Sequence, residues 1–425
     1  MLTLAGNLAL AALAACATYT SNPVATIAAP APDARQQHVP ALIVPSARGA
    51  ALYTASARAA DKLGAAPADP LRAAILEEAR AQARRRGAAP PEGDLRLDLA
   101  MTDLARGLRG DDLPALEVVD FLLAHYGIVE PSPHLLLGRA TPGADDTVRQ
   151  QIAGQIAEVA KVAQIARVGV GVDRAGDQMY VVVALQEQNV EVDPVPRRIA
   201  AGGSAVVSGK LTHSYADPRV VVTGPRGAVK RLDGGGRGPG FRSEIRCDAG
   251  PGRYQIEVTG VNQAGTVVLA NFPVYCGVAP PAEAPRNTGV RQGTLAPADA
   301  EKRMLALVNR DRAAAGLRPL ALDDKLSDVA RAHSRDMAAN EYVAHVSPTT
   351  GTALDRARHA GLAPALIFEN VGRAYSADQA ETGFMSSPGH RGNILDPRAT
   401  RIGIGIVAGK PATGTTPLYV TQLLM

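Results

Sequence analysis

Hydrophobic residues recur at helical spacing through most of residues 52–166, and the pattern then becomes strand-like. Positions three and four apart share one face of a helix, whereas β-branched runs between turns indicate strands. Residues 167–172 and 180–185 have the composition of two paired strands, with Gly176 in the turn between them. The spacing predicts helices over residues 52–86, 95–109, 113–126 and about 145–166. Residues 51–192 are therefore predicted to form a helical or α/β domain.

The pattern changes between residues 193 and 278. Short β-branched runs alternate there with Gly, Pro and Asp, and helical periods disappear. Runs at this regular spacing are typical of a small β-sandwich. The segment Gly252-Arg253-Tyr254, which enters an alternating strand, resembles the late strands of immunoglobulin-like modules. The strongest runs are residues 205–207, 220–222, 254–258 and 267–269.

An Ala- and Pro-rich linker, residues 279–297, precedes the last unit, residues 298–425. The apolar face of its first predicted helix carries Met304, Leu307 and Val308. The apolar face of its second predicted helix consists of Leu326, Ala330, His333 and Met337. Two strands, residues 401–406 and 418–421, are predicted to close the unit.

One strand segment is similar to a second segment of the same chain. Residues 167–172 read RVGVGV and residues 401–406 read RIGIGI, and each is followed by a strand that contains Tyr-Val. Predicted helices precede both segments. Two interpretations are open: residues 52–190 are a diverged copy of the last domain, or glycine-spaced hairpins recur by chance.

Residues 1–15, MLTLAGNLALAALAA, are apolar and end in small side chains before Cys16. A segment this short is typical of a signal peptide, because a membrane-spanning helix needs ~20 residues. The end of this segment and Cys16 resemble the lipobox of bacterial lipoproteins, although the segment carries no Lys or Arg. The alternative is an ordinary cleaved signal with an incidental cysteine. Residues 16–50, rich in Ala and Pro, are predicted to be a tether.

Cysteine usage agrees with export. Apart from Cys16, the chain contains only Cys247 and Cys276, both within the strand-rich segment. An oxidising compartment favours a disulfide between them, and two buried free thiols are the alternative. We therefore predict an exported protein that a lipid on Cys16 anchors in the membrane of the cell envelope, or a secreted protein if Cys16 is not lipidated.

The bulk composition excludes one class of partner. The 425 residues carry 46% hydrophobic and 20% charged side chains, as ordinary globular domains do. The formal net charge is only +4, although the pI is near 9. No Lys/Arg run approaches a polybasic patch, so the sequence predicts no nucleic-acid partner.

The motifs that carry chemistry are confined to the last domain. In chain order they are ARAHSRDM (330–337), HVSP (345–348), FENV (368–371), FMSSPGHRGNIL (384–395) and GIG (403–405). In this order and spacing the motifs resemble the CAP superfamily (cysteine-rich secretory proteins, antigen 5 and pathogenesis-related 1), in its bacterial form without disulfides. The resemblance covers residues 298–425, under a third of the chain.

The resemblance implies an α-β-α sandwich with a cleft lined by two histidines and acidic residues. His345 and His390 match the two cleft histidines, and Glu369 matches the cleft glutamate. Many members of the family have a second Glu three residues after a Trp, but Phe384 and Ser387 stand at those positions here. The expected cleft is therefore a triad, and a mechanism with two carboxylates is not implied.

Two imidazoles and one carboxylate suit Zn²⁺ or another divalent cation, with water as the fourth ligand. The same trio suits acid–base chemistry, since His titrates near neutrality, and a plain salt-bridge role for Glu369 is the alternative. His333 is predicted to be core packing, and His359 to be a surface residue without a role. The last domain lacks Cys and has no nucleophile-elbow pattern around Ser347 or Ser387.

Taken together, the sequence predicts an α+β multidomain envelope protein with two possible functions. The first is a binding or interaction module that holds a lipid, glycan or protein ligand. The second is a metal-assisted hydrolase that acts on envelope polymers or peptides. The missing second Glu favours binding, so no firm catalytic residue is predicted. If the first domain is a copy of the last, it lacks both His motifs and its role is structural.

Overall fold

The computed structural model describes residues 43–55, 63, 68–108, 114–174, 177–212, 214–232, 238–286, 295–410 and 416–425. The predicted signal peptide and Cys16 lie outside these ranges. Helices and sheets are mixed along the described chain, which confirms the α+β class. None of the helices in these ranges is both long enough and apolar enough to cross a membrane.

The first domain is built on a four-stranded sheet. Its elements, with the short strand that precedes it, are β1 (Leu52–Tyr53), α1 (Pro70–Arg85), β2 (Glu92–Gly93), α2 (Leu95–Gly107), α3 (Leu116–His125), β3 (His134–Ala140), α4 (Asp145–Val162), β4 (Arg167–Asp173) and β5 (Met179–Gln186). The strand order is β2-β4-β5-β3. Asp69 and Asp94 begin α1 and α2, because their side chains accept otherwise unpaired backbone N–H groups.

The first helix begins later than the hydrophobic spacing predicts. Pro70 occupies its first turn, where the missing proline N–H leaves no hydrogen bond unmade. Leu52 and Tyr53, predicted to be helical, instead form β1. Tyr53 is fully buried with its ring 4.9 Å from that of Phe272, so burial against the second domain overrides the local helical spacing.

The second domain is a sandwich of two sheets. Its strands are β6 (Val190–Val192), β7 (Val195–Pro196), β8 (Arg198–Ile199), β9 (Ser204–Leu211), β10 (Ala216–Thr223), β11 (Val229–Leu232), β12 (Gly240–Arg246), β13 (Gly252–Asn262) and β14 (Gly265–Cys276). One sheet has the order β11-β10-β13-β14-β8 and the other β12-β9-β6, while β7 pairs with β1. Their inward side chains share one hydrophobic core, and a disulfide joins Cys247 to Cys276 within it.

The structure places two domain boundaries differently from the sequence prediction. Strand β6 belongs to the sandwich, so the first domain ends after Gln186 rather than at residue 192. Part of the predicted tether is packed: Ile43 is buried in the core of the first domain, and the Ser46 N–H donates to Asp103 at 3.0 Å. Apolar side chains near the end of a Pro-rich segment are buried here because the α2 surface offers them a partner.

The last domain has three layers. Its elements are α5 (Pro297–Ala314), β15 (Ala321–Leu322), α6 (Asp324–Asn340), α7 (Ala353–His359), β16 (Phe368–Ala374), α8 (Ala377–Ser386), α9 (Pro388–Ile394), β17 (Arg401–Ala408) and β18 (Leu418–Leu424). The strand order is β15-β17-β18-β16. Along β17, Ile402, Ile404 and Ile406 pack towards α5 and α8, whereas the intervening glycines face α6.

The glycine spacing of β17 has a packing cause. A Cβ on Gly405 would lie 2.2 Å from the backbone nitrogen of Arg331 in α6, closer than real atoms approach. Only glycine therefore lets the helix backbone rest directly on the strand. In the first domain Gly171 has the same relation to α2, since its Cβ would lie 2.0 Å from the carbonyl carbon of Met101.

The first and last domains share their topology. In each, a short strand pairs in parallel with the first strand of the terminal hairpin, and the remaining pairs are antiparallel. The order of helices and strands along the chain also agrees, except that the last domain has the additional helix α9.

The strand registers align the two sheets residue by residue. In the last domain, Leu423 pairs with Gly403 on one side and with Glu369 on the other. In the first domain, Ala184 pairs in the same way with Gly169 and with Leu135. Leucine therefore stands in the first domain where the last domain has its glutamate.

Candidate functional site

Glu369 is the most heavily engaged residue of the predicted cleft. It is the second residue of β16, and only 8% of it is exposed. The His345 imidazole approaches one carboxylate oxygen, with Nδ1 2.9 Å from Oε2. The Arg356 guanidinium donates to the other oxygen, Oε1. Both oxygens of the carboxylate are thus held by neighbouring side chains.

The charges in this cluster decide the protonation of Glu369. Burial by itself would raise the pKa of the carboxyl group, but the His345 hydrogen bond and the charges of His345 and Arg356 together lower it below its ordinary value. A carboxylate held in this way is a poor proton acceptor, because protonation would disrupt its ion pairs.

His390 completes the predicted trio. It lies in the first turn of α9, its ring centroid is 6.3 Å from that of His345, and the Phe384 ring meets it edge-on at 5.2 Å. Burial, and then the charge of His345, lower the pKa of His390 to about 3. The imidazole is therefore neutral at physiological pH. The fold thus brings together three residues that are far apart in sequence.

Convergence of the three residues does not create a ready metal site. In the described part of the chain, no group of three His, Cys, Asp or Glu side chains is arranged to hold a metal ion. The physical reason is the engagement of Glu369, whose oxygens already bind His345 and Arg356. The arrangement does not fit a three-ligand site as it stands, and Zn²⁺ binding stays a prediction for titration to decide.

Arg356 is a site residue that the sequence analysis missed. It lies on α7 and is buried, and its guanidinium also donates to the carbonyl oxygen of His345 at 3.3 Å. One cation therefore fixes both the carboxylate and the loop that carries the first histidine. Its only sequence signal is its position after the capping box formed by Thr352 and Asp355, which begins α7.

His333 lies in the core, where it was predicted, but it also supports the site. It is 1% exposed, and its Nε2 lies 2.9 Å from the carbonyl oxygen of Ala344, directly before His345. Burial lowers the pKa of His333, so the ring is neutral and can donate this hydrogen bond. His359, at the end of α7, is exposed to solvent.

The asparagines of the motifs tie the strand to the helix. Asn393 donates to the Asn370 side chain at 2.9 Å and to the Glu369 carbonyl oxygen at 3.1 Å. Asn370 in turn donates to the Gln422 side chain on β18 at 2.9 Å. These bonds hold α9, and hence His390, at a fixed position relative to β16.

The sandwich domain supplies a second carboxyl group. Glu257 on β13 is fully buried; Ser387 donates to its Oε2 at 2.5 Å, and the N–H of Gly389 donates to its Oε1 at 2.9 Å. Burial raises the pKa of Glu257 to about 7. Ser387 stands at the position where the resemblance to the CAP superfamily implies a second cleft glutamate, and here a carboxyl group from a different domain contacts that serine.

A second contact from the sandwich supports His345. The turn between β13 and β14 places the carbonyl oxygen of Ala264 within reach of two backbone N–H groups, those of His345 at 3.1 Å and Val346 at 3.0 Å. The site therefore lies at a domain junction. Nothing in the local sequence around residues 257–265 indicates that this segment faces the last domain, because Glu257 simply alternates with Ile256 and Val258 as a solvent-facing residue of a strand would.

Comparison with known families identifies the last domain. Residues 305–424 match the model of the family described as CAP: Cysteine-rich secretory protein family. The last domain is therefore a CAP domain, as its motifs predicted.

Two curated proteins of Bacillus subtilis (strain 168) are similar to this part of the chain. YkwD is 39% identical over 108 residues, which is 25% of this chain and 42% of that protein. The membrane protein YlbC is 35% identical over 107 residues, which is 25% of this chain and 31% of that protein. The chain thus spans less than half the length of either relative.

Solved structures with similarity include an extracellular protein containing an SCP domain from Bacillus anthracis, at 20% identity and a TM-score of 0.28, over 56% of this chain and 86% of that one. An outer surface protein from Borrelia burgdorferi matches at 17% identity and a TM-score of 0.27, over 30% of this chain and 94% of that one.

Proposed function

We propose that this chain is an exported cell-envelope protein whose CAP domain binds a ligand and does not hydrolyse one. The observation that carries this proposal is that both carboxylate oxygens of Glu369 already accept hydrogen bonds from neighbouring side chains. A general base must take up a proton readily, and the His345 and Arg356 donors on the two oxygens keep the pKa of Glu369 below its ordinary value. Binding needs only a shaped and rigid cleft, which the surrounding hydrogen bonds supply.

The hydroxyl groups of the motifs are also engaged. The Ser387 hydroxyl donates to Glu257, and the Ser347 hydroxyl donates to Asp336 at 2.7 Å. The Ser387 oxygen accepts the backbone N–H of His390 at 3.5 Å, but among the described residues neither serine hydroxyl is hydrogen-bonded to a histidine ring, so neither has the adjacent base that a nucleophile requires. This supports a binding function over hydrolysis.

Export and anchoring belong to the same proposal. The family is named for secretory proteins, and the Cys247–Cys276 disulfide suits an oxidising compartment. We propose that Cys16 is lipidated after cleavage of residues 1–15. A protein with two or more acyl chains on one cysteine stays stably in a membrane, with the domains held outside the cytoplasm.

We further propose that the first domain is a diverged copy of the CAP domain with a structural role. The shared strand order and glycine contacts support common ancestry. Leu135 at the position of Glu369 supports the loss of a cleft. In this proposal the first domain serves as a wall for the junction at which the working cleft lies.

The test is co-sedimentation of the full chain, carrying Cys16→Ala to remove the proposed anchor, with isolated cell envelopes. His390→Ala should reduce the pelleted fraction several-fold, because His390 lines the junction. His359→Ala, which changes an exposed histidine of the same domain, should leave the fraction unchanged. Equal pelleting of both variants and the parent protein would refute binding through the cleft.

The same incubation distinguishes the alternative. Supernatants with and without Zn²⁺ are analysed by mass spectrometry for released peptides or sugars. No release that depends on His390 is expected. Zn²⁺-dependent release that His390→Ala abolishes would establish the metal-assisted hydrolase instead.

A further inference from the structure

A cavity lies where all three domains meet. The first domain contributes Asp120 and Ser132, the sandwich contributes Asn271, and the CAP domain contributes β16, α8 and α9. The cavity measures about 100 Å³, which is room for roughly seven to ten water-sized atoms, since one water needs ~10–15 Å³. Most of the wall is apolar, including Leu116, Val268, Val371, Ala374, Ala380 and Phe384.

One amide in this wall lacks a partner. Gln379 is only 7% exposed, and its Oε1 accepts the backbone N–H of Tyr375 at 2.7 Å. That bond fixes the orientation of the amide and leaves Nε2 buried without an acceptor in the structure. Buried donors are nearly always paired, so an unpaired one beside a cavity points to a missing acceptor.

A cation in the same wall is also incompletely paired. The Nε of Arg373 is buried without an acceptor, and its guanidinium lies 5.8 Å from the centre of the Tyr419 ring. A guanidinium in an apolar wall is best satisfied by an anion with two oxygens.

The other ionisable groups of the wall orient the ligand. His390 is neutral, so it adds no competing charge. Asp120 lies on the wall formed by the first domain, where it accepts the Ser132 hydroxyl at 2.7 Å. A bound anion would be repelled there and drawn to the CAP-domain wall that carries Arg373 and Gln379.

We infer that the junction cavity binds a small carboxylic acid with an apolar body, or the carboxylate end of a larger molecule, through Arg373 and Gln379. The inference rests on the proposed binding function and adds the chemistry of the ligand. The carboxylate accepts from both donors, and the apolar body packs against Phe384 and Leu116. The acid is recognised only when the three domains are assembled, because each contributes part of the wall.

Benzoate, whose size suits the cavity, is the probe. Isothermal titration calorimetry of the full chain should show saturable binding of benzoate and at least tenfold weaker binding of benzyl alcohol, which lacks the charge. Gln379→Glu keeps the oxygen that Tyr375 needs but replaces the donor with a second anion. It should weaken benzoate binding at least tenfold, and Arg373→Met should do the same.

Arg398→Met is the matched control. Arg398 also lies over an aromatic ring, 5.5 Å from the centre of Phe368, but it is paired with Asp396 and lies outside the cavity. The variant loses the same charge and should bind benzoate like the parent protein.

A variant that fills the cavity keeps the inference testable if a donor variant fails to fold. A Cβ on Gly383 would make an ordinary 3.5 Å contact with Leu116, so Gly383→Leu should place its side chain in the cavity and block benzoate. Equal affinity for benzoate in the parent, Gln379→Glu and Gly383→Leu proteins, or no binding by the parent, would overturn the inference. Envelopes are absent from this experiment, so its failure leaves the co-sedimentation result intact.

Discussion

At the scale of single residues, the cleft is organised by one buried ion cluster. Glu369 receives His345 and Arg356 on separate oxygens, and the side chains of Glu369 and Arg356 are each 5% exposed. Charges in such a place depend on one another, since removing one leaves another buried without compensation. The stability of the cleft and its chemistry therefore change together.

Arg356→Met should destabilise the protein by about 3 kcal/mol, because it leaves a buried carboxylate without its cation. Urea denaturation followed by circular dichroism measures the change. Arg358→Met removes the same charge from an exposed position on the same helix and should cost less than about 0.5 kcal/mol. Equal effects of the two substitutions would show that the buried ion pair adds no stability.

The same substitution tests the predicted metal site. Arg356→Met frees one oxygen of Glu369 to join the two histidines, so Zn²⁺ affinity should rise above that of the parent protein. His345→Ala or His390→Ala should lower it much more than His333→Ala, which should chiefly reduce thermal stability because His333 supports the backbone before His345. Calorimetric Zn²⁺ titration of the full chain ranks the Zn²⁺ affinities of the variants and the parent protein. If the four variants and the parent protein bind Zn²⁺ equally, the cleft is not a metal site.

At the scale of elements, β13 meets α9 through Glu257. None of the described residues places a cation that lowers the pKa of this carboxyl group, and burial raises the pKa from 4.5 to about 7. The folded state therefore binds this proton more tightly than the unfolded state. Its contribution to stability is fully present below pH ~4.5 and is lost as pH rises towards ~7.

Glu257→Gln should remove that pH dependence, because the amide copies the protonated acid. At pH 4 the variant should match the parent protein, and above pH 7 it should be more stable by up to about 3 kcal/mol, since one pKa unit corresponds to ~1.4 kcal/mol. Unfolding free energies measured from pH 4 to pH 8 test this. Glu191→Gln, on the exposed edge of the sandwich, should keep the parent slope. If the unfolding free energy of Glu257→Gln depends on pH as that of the parent protein does, a different group is responsible for the pH dependence.

Helix–strand contact is the second determinant at this scale. Gly405→Ala forces a methyl group against the backbone of α6 and should lower stability by about 1–3 kcal/mol, as overpacking does. Gly154→Ala, in open space on α4, should instead raise stability by about 0.5–1 kcal/mol, because alanine is the better helix former. Thermal unfolding of both variants measures the contrast, and a neutral Gly405→Ala would contradict the packing argument.

At the scale of the whole molecule, the proposed anchor and the domain junction define where and how the cleft works. A lipid on Cys16 would hold the domains at a membrane surface, and Cys16→Ala should move the protein from the membrane fraction to the soluble fraction. Immunoblots of fractionated cells in detergent-free buffer measure this. Persistent pelleting of the variant with membranes would rule out the lipid anchor.

Local sequence patterns predicted most of the helices and the class of the last domain. Helical spacing predicted α2, α3 and α4 within a few residues, since that signal acts over one or two turns. The CAP motifs predicted the last domain and the convergence of His345, Glu369 and His390. The start of α1 was wrong, because Tyr53 follows a tertiary partner rather than its neighbours in sequence.

The sequence by itself determined the residue types of the cleft, the glycine spacing of the paired hairpins and the class of the last domain. Only the tertiary structure decided that Arg356 closes the carboxylate of Glu369, that Glu257 enters from another domain and that three domains enclose a cavity. The contact of Arg356 with Glu369 joins residues 13 positions apart, and that of Ser387 with Glu257 joins residues 130 positions apart. No periodicity or motif encodes such contacts, because they arise from the packing of a helix against a strand within the last domain and of one domain against another.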